Sequence, residues 1–336
     1  MNVLLKESYP LFQEMIHIAL CHDKYYAPYA ATVIASVMEN NKSNKIAFHV
    51  VCDGISSDMQ DVLKKWVTSH SCEIYFYTVN TDVFARFPFG ENSWLHDGTY
   101  YRLYLGEVLK DIDKVIYLDC DVVVNGSLAE LWNTDIEGYA LAGSRDRLND
   151  DIHVYNRLRY PMSDGYINAG VMLINLKKWR EDRFFEKALS LAGQMPLALK
   201  NHDQDFVNAI YHGQIKVLDF RYNLMEYFLY VEEWMCLDRK YYSEIIEACH
   251  TPVIIHFCMR KKPWHYECIN PFKTLYYKYR AMTPWPEVEL THRKEKLTPK
   301  LKLKQLLGKL GLYQIEKRPT LRKDINVIEE PDNVLF

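Results

Sequence analysis

The chain has 336 residues, of which 49% are hydrophobic and 14% aromatic, with 25 tyrosines and a formal net charge of −3. That is too long for one small core and too apolar for a disordered chain, and it fits one large α/β domain with an appendage, or two domains. The slight acidity sets up no field for nucleic acid, and no apolar run reaches the ~20 residues of a membrane span. Lys6 and Glu7 interrupt the apolar start, so no secretory signal is expected. The eight cysteines contain no Cys-x-x-Cys pair, and reduced thiols in a cytosolic protein are the expectation.

The first elements alternate strand and helix. A strand is expected over 15–20, followed by the loop Cys21-His22-Asp23-Lys24-Tyr25-Tyr26-Ala27-Pro28-Tyr29. A helix over 28–38 follows, with Pro28 at an early position where its missing N–H does no harm. A second strand over 46–51, a helix to about residue 68 capped by Ser56 or Ser57, and a third strand over 72–79 come next. This order implies right-handed crossovers and a parallel sheet. Asp23 could accept from a nucleobase N–H and the loop aromatics could stack on the base; an ordinary polar turn has the same composition. Neither Gly-x-Gly-x-x-Gly nor Gly-x-x-x-x-Gly-Lys-Ser/Thr occurs, which argues against a dinucleotide enzyme or a P-loop phosphotransferase.

Residues 87–97 are irregular. A helix over 99–109 puts Arg102 near its start, where a guanidinium could hold a phosphate or a sugar hydroxyl, or pair with an acid. Then Lys114-Val115-Ile116-Tyr117-Leu118-Asp119-Cys120-Asp121 reads as a buried central strand running into two carboxylates. Ligands of open α/β sheets gather at the carboxyl ends of the strands. Two aspartates one residue apart can both reach a hard divalent cation if the backbone turns there, and such a cation keeps positions open for phosphates. An acidic turn closing a strand is the plain alternative.

A strand over 139–143 leads to Ser144-Arg145-Asp146, at another strand end. Residues 147–163 are polar, Arg-rich and without periodicity, long enough for a plain connection to suggest an active-site lid. Residues 166–175 read as a bent strand in which Ala169 and Gly170 let a ligand approach the backbone beside Asn168. An amphipathic helix is expected over 176–192 with Trp179 inward. Asn201-His202-Asp203-Gln204-Asp205 opens another helix, with capping as one role. Residues 225–252 are aromatic and acidic, including Glu232, Glu233 and Trp234; they suit part of an acceptor site or a core helix. Val253-Ile254-Ile255 is a short apolar strand ending in His256, a neutral imidazole that suits Mn²⁺ or sits buried and hydrogen-bonded. In the tail, Leu303, Leu306, Leu307 and Leu310 share one face of a basic helix, which fits an anionic membrane surface or docking on the core.

These stretches together resemble glycosyltransferase family 8, the retaining GT-A enzymes that include bacterial lipopolysaccharide glucosyl- and galactosyltransferases. The resemblance runs in order through 16–285, on residues 18–23 with Tyr26-Ala27-Pro28-Tyr29, Thr99-Tyr100-Tyr101-Arg102-Leu103, residues 114–121 and residues 166–179. It continues with Asp203-Gln204-Asp205 and residues 253–258 with Lys261-Lys262-Pro263-Trp264. It implies a GT-A type α/β fold, a Rossmann-like, mostly parallel central sheet with flanking helices, plus a C-terminal helical extension. The GT-A domain would cover 1–285, with a nucleotide-binding half at about 15–125 and a sugar and acceptor half at about 126–285. The basic extension would cover 286–336, with its helix at about 299–310.

The resemblance also implies a site. Asp119, Asp121 and His256 would hold Mn²⁺ or Mg²⁺ across the diphosphate of a UDP-sugar, and Lys262 would add a second positive charge. Asp23 would contact the uracil, with Cys21, Tyr25 and Cys120 beside the nucleotide. Arg102, Asp146, Asn168, Asp203 and Gln204 would surround the donor sugar as the catalytic set. Lys24 and Tyr25 depart from the acidic residue and the Asn common in the family, and His96 lies near, not at, a position where many members carry His.

The implied reaction moves a hexose from UDP-glucose or UDP-galactose to a hydroxyl of a saccharide or glycolipid with retention, in cell-surface polysaccharide or lipopolysaccharide synthesis. Double displacement would need Gln204 or Asp203 as nucleophile; Gln is a poor one, so a front-face route is expected. A nucleotidyltransferase and a catalytically silent UDP-sugar-binding protein are the alternatives. The expected location is cytoplasmic, peripheral on the inner face of the plasma membrane through the tail.

Overall fold

The apolar runs form strands close to where the sequence puts them. In the computed structural model, which describes residues 14–88, 97–230 and 237–287, β1 (Ile16–His22), β2 (Ile46–Cys52) and β3 (Glu73–Thr78) alternate with α1 (Ala27–Asn40) and α2 (Ser57–Ser69). The three strands pair in parallel. β1 and β2 bury almost every side chain, whereas β3, at the sheet edge, buries Ile74 and leaves the rest half-buried or exposed. Ser56 caps α2 by accepting from the Met59 N–H.

After α3 (Leu105–Val108), β4 (Lys114–Leu118) joins β1 in parallel with Leu20 opposite Leu118. This register sets the loop after β1 beside the acids after β4. β5 (Val122–Val124) and α4 (Ala129–Trp132) follow, then β6 (Leu141–Arg145), α5 (Ile152–Leu158), β7 (Ile167–Asn175), α6 (Leu176–Glu181), α7 (Phe184–Gln194), α8 (His202–Tyr211) and β8 (Ile215–Leu218). The seven-stranded sheet runs β3-β2-β1-β4-β7-β6-β8. Among its described strands β7 alone is reversed, antiparallel to both β4 and β6, so the expected mostly parallel sheet is present.

A second sheet, order β5-β10-β9, is built from β9 (Leu224–Met225), β10 (Ile254–His256) and β5. It is flanked by α9 (Tyr242–His250) and α10 (Lys273–Arg280). His96, Glu232, Glu233, Trp234 and the expected tail helix at 299–310 lie outside the described residues. No described helix is long and apolar enough to cross a membrane, and the seven described cysteines are free.

Three expectations are corrected. Residues 99–109 form a 3-10 turn (Tyr101–Tyr104) before α3 rather than one α-helix. The tighter winding aligns positions three apart, so Tyr101 and Tyr104 both meet Phe84, at ring separations of 5.1 and 5.9 Å. The helix expected over 176–192 breaks at Arg183, which adopts φ 51°. Trp179 and Phe184, five positions apart, would point about 140° apart on one continuous helix; the break brings their rings to 4.1 Å in the core.

The segment 147–163 is not an unstructured lid. It contains α5, capped by Asp151 and pinned by the Arg157 guanidinium forked onto the buried Asp205 carboxylate. Asp205 also accepts from Tyr166 Oη at 2.7 Å and from the Asn201 N–H at 2.7 Å. It thereby ties α5, β7 and the start of α8 together.

Candidate functional site

The small sheet assembles the centre of the site. In β10, His256 lies opposite Val122 of β5 and Met225 of β9. The residue before β5 is Asp121, so the imidazole arrives next to both acids. Its Nε2 is 3.3 Å from Asp121 Oδ1 and 3.7 Å from Asp119 Oδ2. One ligand atom from each of Asp119, Asp121 and His256 lies within 4.8 Å of the others. Backbone hydrogen bonds fix the frame, Phe257 N–H to Asp121 O at 2.9 Å and Asp119 N–H to Gly170 O at 2.8 Å.

Neighbouring groups occupy the outer lone pairs of both carboxylates. Asp119 Oδ1 accepts from Tyr117 Oη at 2.7 Å and pairs with Arg102 Nη2 at 2.8 Å, which leaves Oδ2 toward His256. Asp121 Oδ2 accepts from Lys262 Nζ at 2.6 Å, which leaves Oδ1 toward His256. Burial alone would raise the Asp121 carboxyl, but the Lys262 ammonium paired with it holds it well below the usual range. Lys262 in turn is raised by Asp121 against the opposing pull of burial, and its Nζ also donates to Phe257 O at 2.8 Å.

Gly170 faces this cluster. A Cβ on it would stand 2.3 Å from His256 Cε1 and 2.7 Å from Asp119 Oδ2, so only glycine lets the imidazole and carboxylate approach β7 this closely. Two carboxylates and a ring nitrogen form a donor set that fits Mn²⁺ or Mg²⁺, with coordination positions left for phosphate oxygens.

Arg102 links this cluster to the start of α8. Its side chain is buried, Nη1 lies 3.1 Å from Asp203 Oδ2 and donates to Ala169 O at 3.0 Å, and Nε donates to Thr99 O at 3.1 Å. The guanidinium lies over the Tyr117 ring, 4.6 Å from its centroid. Burial pushes Asp203 up to about 7 in spite of Arg102, whose charge is shared with Asp119. On the other side, Asn168 Nδ2 donates to Asp146 Oδ2 at 3.0 Å and to Gln204 Oε1 at 3.1 Å. Gln204 Oε1 also accepts from the Ala169 N–H at 3.2 Å.

A cleft opens beside the acids, walled by Asp23, Tyr26, Cys120, Arg102, Lys262 and Trp264. Cys21 lines it as well, and its carbonyl accepts from Cys120 Sγ at 3.7 Å. Tyr25 does not: it is 72% exposed, with Lys24 Nζ 5.2 Å from its ring centroid, and Tyr26 stands in the wall instead. Trp264, stacked on Tyr29 at 4.1 Å and edge-on to Tyr26 at 6.2 Å, builds the opposite wall.

Of the residues expected beside the nucleotide, Tyr25 does not line this cleft. Sequence reasoning missed His22 in the cleft and Asn223, whose Oδ1 lies 2.9 Å from His256 Nδ1. A polar residue ahead of the two-residue strand β9 carries no periodic signal that would have marked it.

Residues 17–268 match the model of the family described as glycosyl transferase family 8. Among proteins similar to this chain, a candidate glycosyltransferase of Haemophilus influenzae is 33% identical over 258 residues, 76% of this chain and 74% of that one. The lipopolysaccharide 1,2-glucosyltransferase of Escherichia coli is 28% identical over 313 residues, 88% and 86% of the two chains. Among solved structures, the galactosyltransferase LgtC in complex with donor and acceptor sugar analogues superposes with a TM-score of 0.73 at 29% identity. That match covers 80% of this chain and 96% of LgtC, and the GT-A architecture is the same.

Proposed function

The chain belongs to glycosyltransferase family 8, and from that premise we propose that it moves a hexose from a UDP-sugar, UDP-glucose or UDP-galactose, to a hydroxyl of a saccharide or glycolipid with retention of anomeric configuration. The observation that carries this reading is the convergence of Asp119, Asp121 and His256 beside a cleft walled by Asp23 and Lys262. Names of similar proteins support the hexosyl class, since one is a lipopolysaccharide glucosyltransferase and another a galactosyltransferase bound to donor and acceptor analogues. By the same likeness, synthesis of a cell-surface saccharide is the proposed setting.

Asp119, Asp121 and His256 would hold Mn²⁺ or Mg²⁺, and the bound ion would neutralise charge that develops on the departing diphosphate. Lys262 supplies a second cation at the same edge. Its pairing with Asp121 holds the ammonium charged and aimed at the cleft, where it can stabilise the leaving group. Asp23 and Tyr26 receive the base. Arg102, anchored by Asp119 and Asp203, presents its remaining N–H capacity toward the sugar side.

Asp146, Asn168 and Gln204 form one hydrogen-bonded wall for the hexose. Gln204 Oε1 already accepts from two N–H groups, so its oxygen is a poor candidate for attack on the anomeric carbon. Asp203, its carboxyl pushed up by burial and one oxygen paired with Arg102, is little better. Both facts support a front-face route, in which the donor phosphate oxygen takes the proton of the acceptor hydroxyl as the sugar–phosphate bond breaks.

The test is donor hydrolysis across nucleotide sugars with Mn²⁺ and with chelator. UDP release from UDP-glucose or UDP-galactose that needs the metal is expected. Pyrophosphate release from a nucleoside triphosphate would replace this reading with nucleotidyl transfer. Mn²⁺-dependent UDP binding with no hydrolysis over long incubation would replace it with a silent binder.

A further inference from the structure

We propose that Asn223 is a positioning residue that sets the tautomer of His256 and so makes its Nε2 available to a divalent cation. The inference rests on the proposed metal site, but its own evidence is a chain of hydrogen bonds whose polarity can be read from one end to the other. It starts at groups with no ambiguity. The Gly170 backbone N–H can only donate, and it lies 3.0 Å from one side-chain atom of Asn168, which must therefore be the amide oxygen. The other end of the same amide is 3.0 Å from an Asp146 carboxylate oxygen, an acceptor, and must be the NH₂. Both ends of Asn168 agree.

Asn168 Oδ1 takes a second hydrogen bond at 2.9 Å from Asn223, so the Asn223 atom there is Nδ2 and its other atom is Oδ1. That oxygen lies 2.9 Å from His256 Nδ1. An amide oxygen only accepts, so Nδ1 carries the proton. In the neutral ring the lone pair then sits on Nε2, the atom 3.3 Å from Asp121 and 3.7 Å from Asp119.

Asn223 is completely buried, so no water competes for these positions. Its place is set by the small sheet, because β9 and β10 are parallel with Met225 opposite His256. Asn223 therefore transfers the polarity fixed on β7 to the imidazole. Partners of this kind hold a metal-bound imidazole in one orientation, and their loss typically weakens metal binding by about 10–100-fold.

Three proteins test this: wild type, Asn223→Leu, which keeps the volume without an acceptor, and Asn223→Asp, which restores one toward Nδ1. The first readout needs no metal. In ¹⁵N-histidine-labelled protein, at a pH where the ring is neutral and with His256→Gln identifying the resonance, the wild-type ring is expected as the Nδ1–H form and N223L as the Nε2–H form or a mixture, with N223D returning to Nδ1–H. The second is the Mn²⁺ affinity of each protein by electron paramagnetic resonance of free Mn²⁺, expected to fall about 10–100-fold in N223L and to recover at least in part in N223D.

An N223L ring that stays Nδ1–H, or Mn²⁺ binding by N223L within twofold of wild type, overturns the proposal. If N223L does not fold by circular dichroism, N223D decides alone: it must keep the Nδ1–H form, and loss of that form overturns the proposal. Failure of wild-type protein to bind Mn²⁺ would instead refute the metal site while leaving the tautomer assignment standing.

Discussion

Substituting Gly170 by Ala adds one methyl group where β7 faces the acids and the imidazole. Built on the observed backbone, that carbon stands 2.3 Å from His256 Cε1 and 2.7 Å from Asp119 Oδ2. Carbon–carbon contact is ordinarily about 3.5–4.0 Å, so the imidazole must retreat by more than about 1 Å. Neither side has slack. Gly170 O accepts from the Asp119 N–H at 2.8 Å, and His256 is pinned at Nδ1 by Asn223 and within β10 by its pairing to β5.

The ligand triangle therefore opens instead of the backbone moving. Overpacking of this kind costs about 1–3 kcal/mol of stability, and Mn²⁺ affinity is expected to fall by at least the 10–100-fold typical of a displaced ligand support. Gly193→Ala is the control: it lies in α7, its added methyl meets nothing within 4 Å, and it should unfold no earlier than wild type. Thermal unfolding and Mn²⁺ titration of the two variants check both quantities. A G170A protein that binds Mn²⁺ within twofold of wild type would refute the claim that the imidazole and Asp119 are seated by the missing side chain.

Three further outcomes are expected. Gln204→Ala should lower turnover by roughly a hundredfold or more without trapping sugar; a glycosyl adduct on Asp203 in the intact mass would reverse the preference for the front-face route. Arg157→Met should cost about 3–5 kcal/mol in a denaturant titration, because it leaves the fully buried Asp205 carboxylate without its cation; an unchanged midpoint would mean that α5 is not pinned as described. His49 is held down at about 3 by burial and by the adjacent His17, so the unfolded chain binds a proton that the folded chain excludes. Its contribution to stability is complete above about pH 6.5 and is lost as pH falls from there toward 3, by up to about 1.4 kcal/mol per pH unit. Burial pushes Asp203 and Glu226 up to about 7 and gives them the opposite sign. The effect is therefore read as the difference between wild type and His49→Gln, whose stability should fall less steeply across that window.

Much of the scaffold was legible because burial leaves a local mark. Ile46–Cys52 and Glu73–Thr78 fall within a residue or so of the apolar and alternating runs that suggest them, since a strand's neighbours on both faces act on every residue in it. Elements whose shape is set by tertiary packing were misread. The break at Arg183 exists so that Trp179 and Phe184 can share one core, and α5 is held by a carboxylate 48 positions away from Arg157.

By itself the sequence determined the ordered apolar strands, the two aspartates that end one of them, and the later His and Lys that complete a recognisable family pattern. Only the tertiary structure decided that Lys262 meets Asp121 across 141 positions, that Tyr26 and not Tyr25 faces the cleft, and that Asn223 stands behind His256. The physical reason is that ligand geometry is set by strand register. Pairing β5 with β10 and β10 with β9 fixes which residues face one another, and no local property of the chain encodes that pairing.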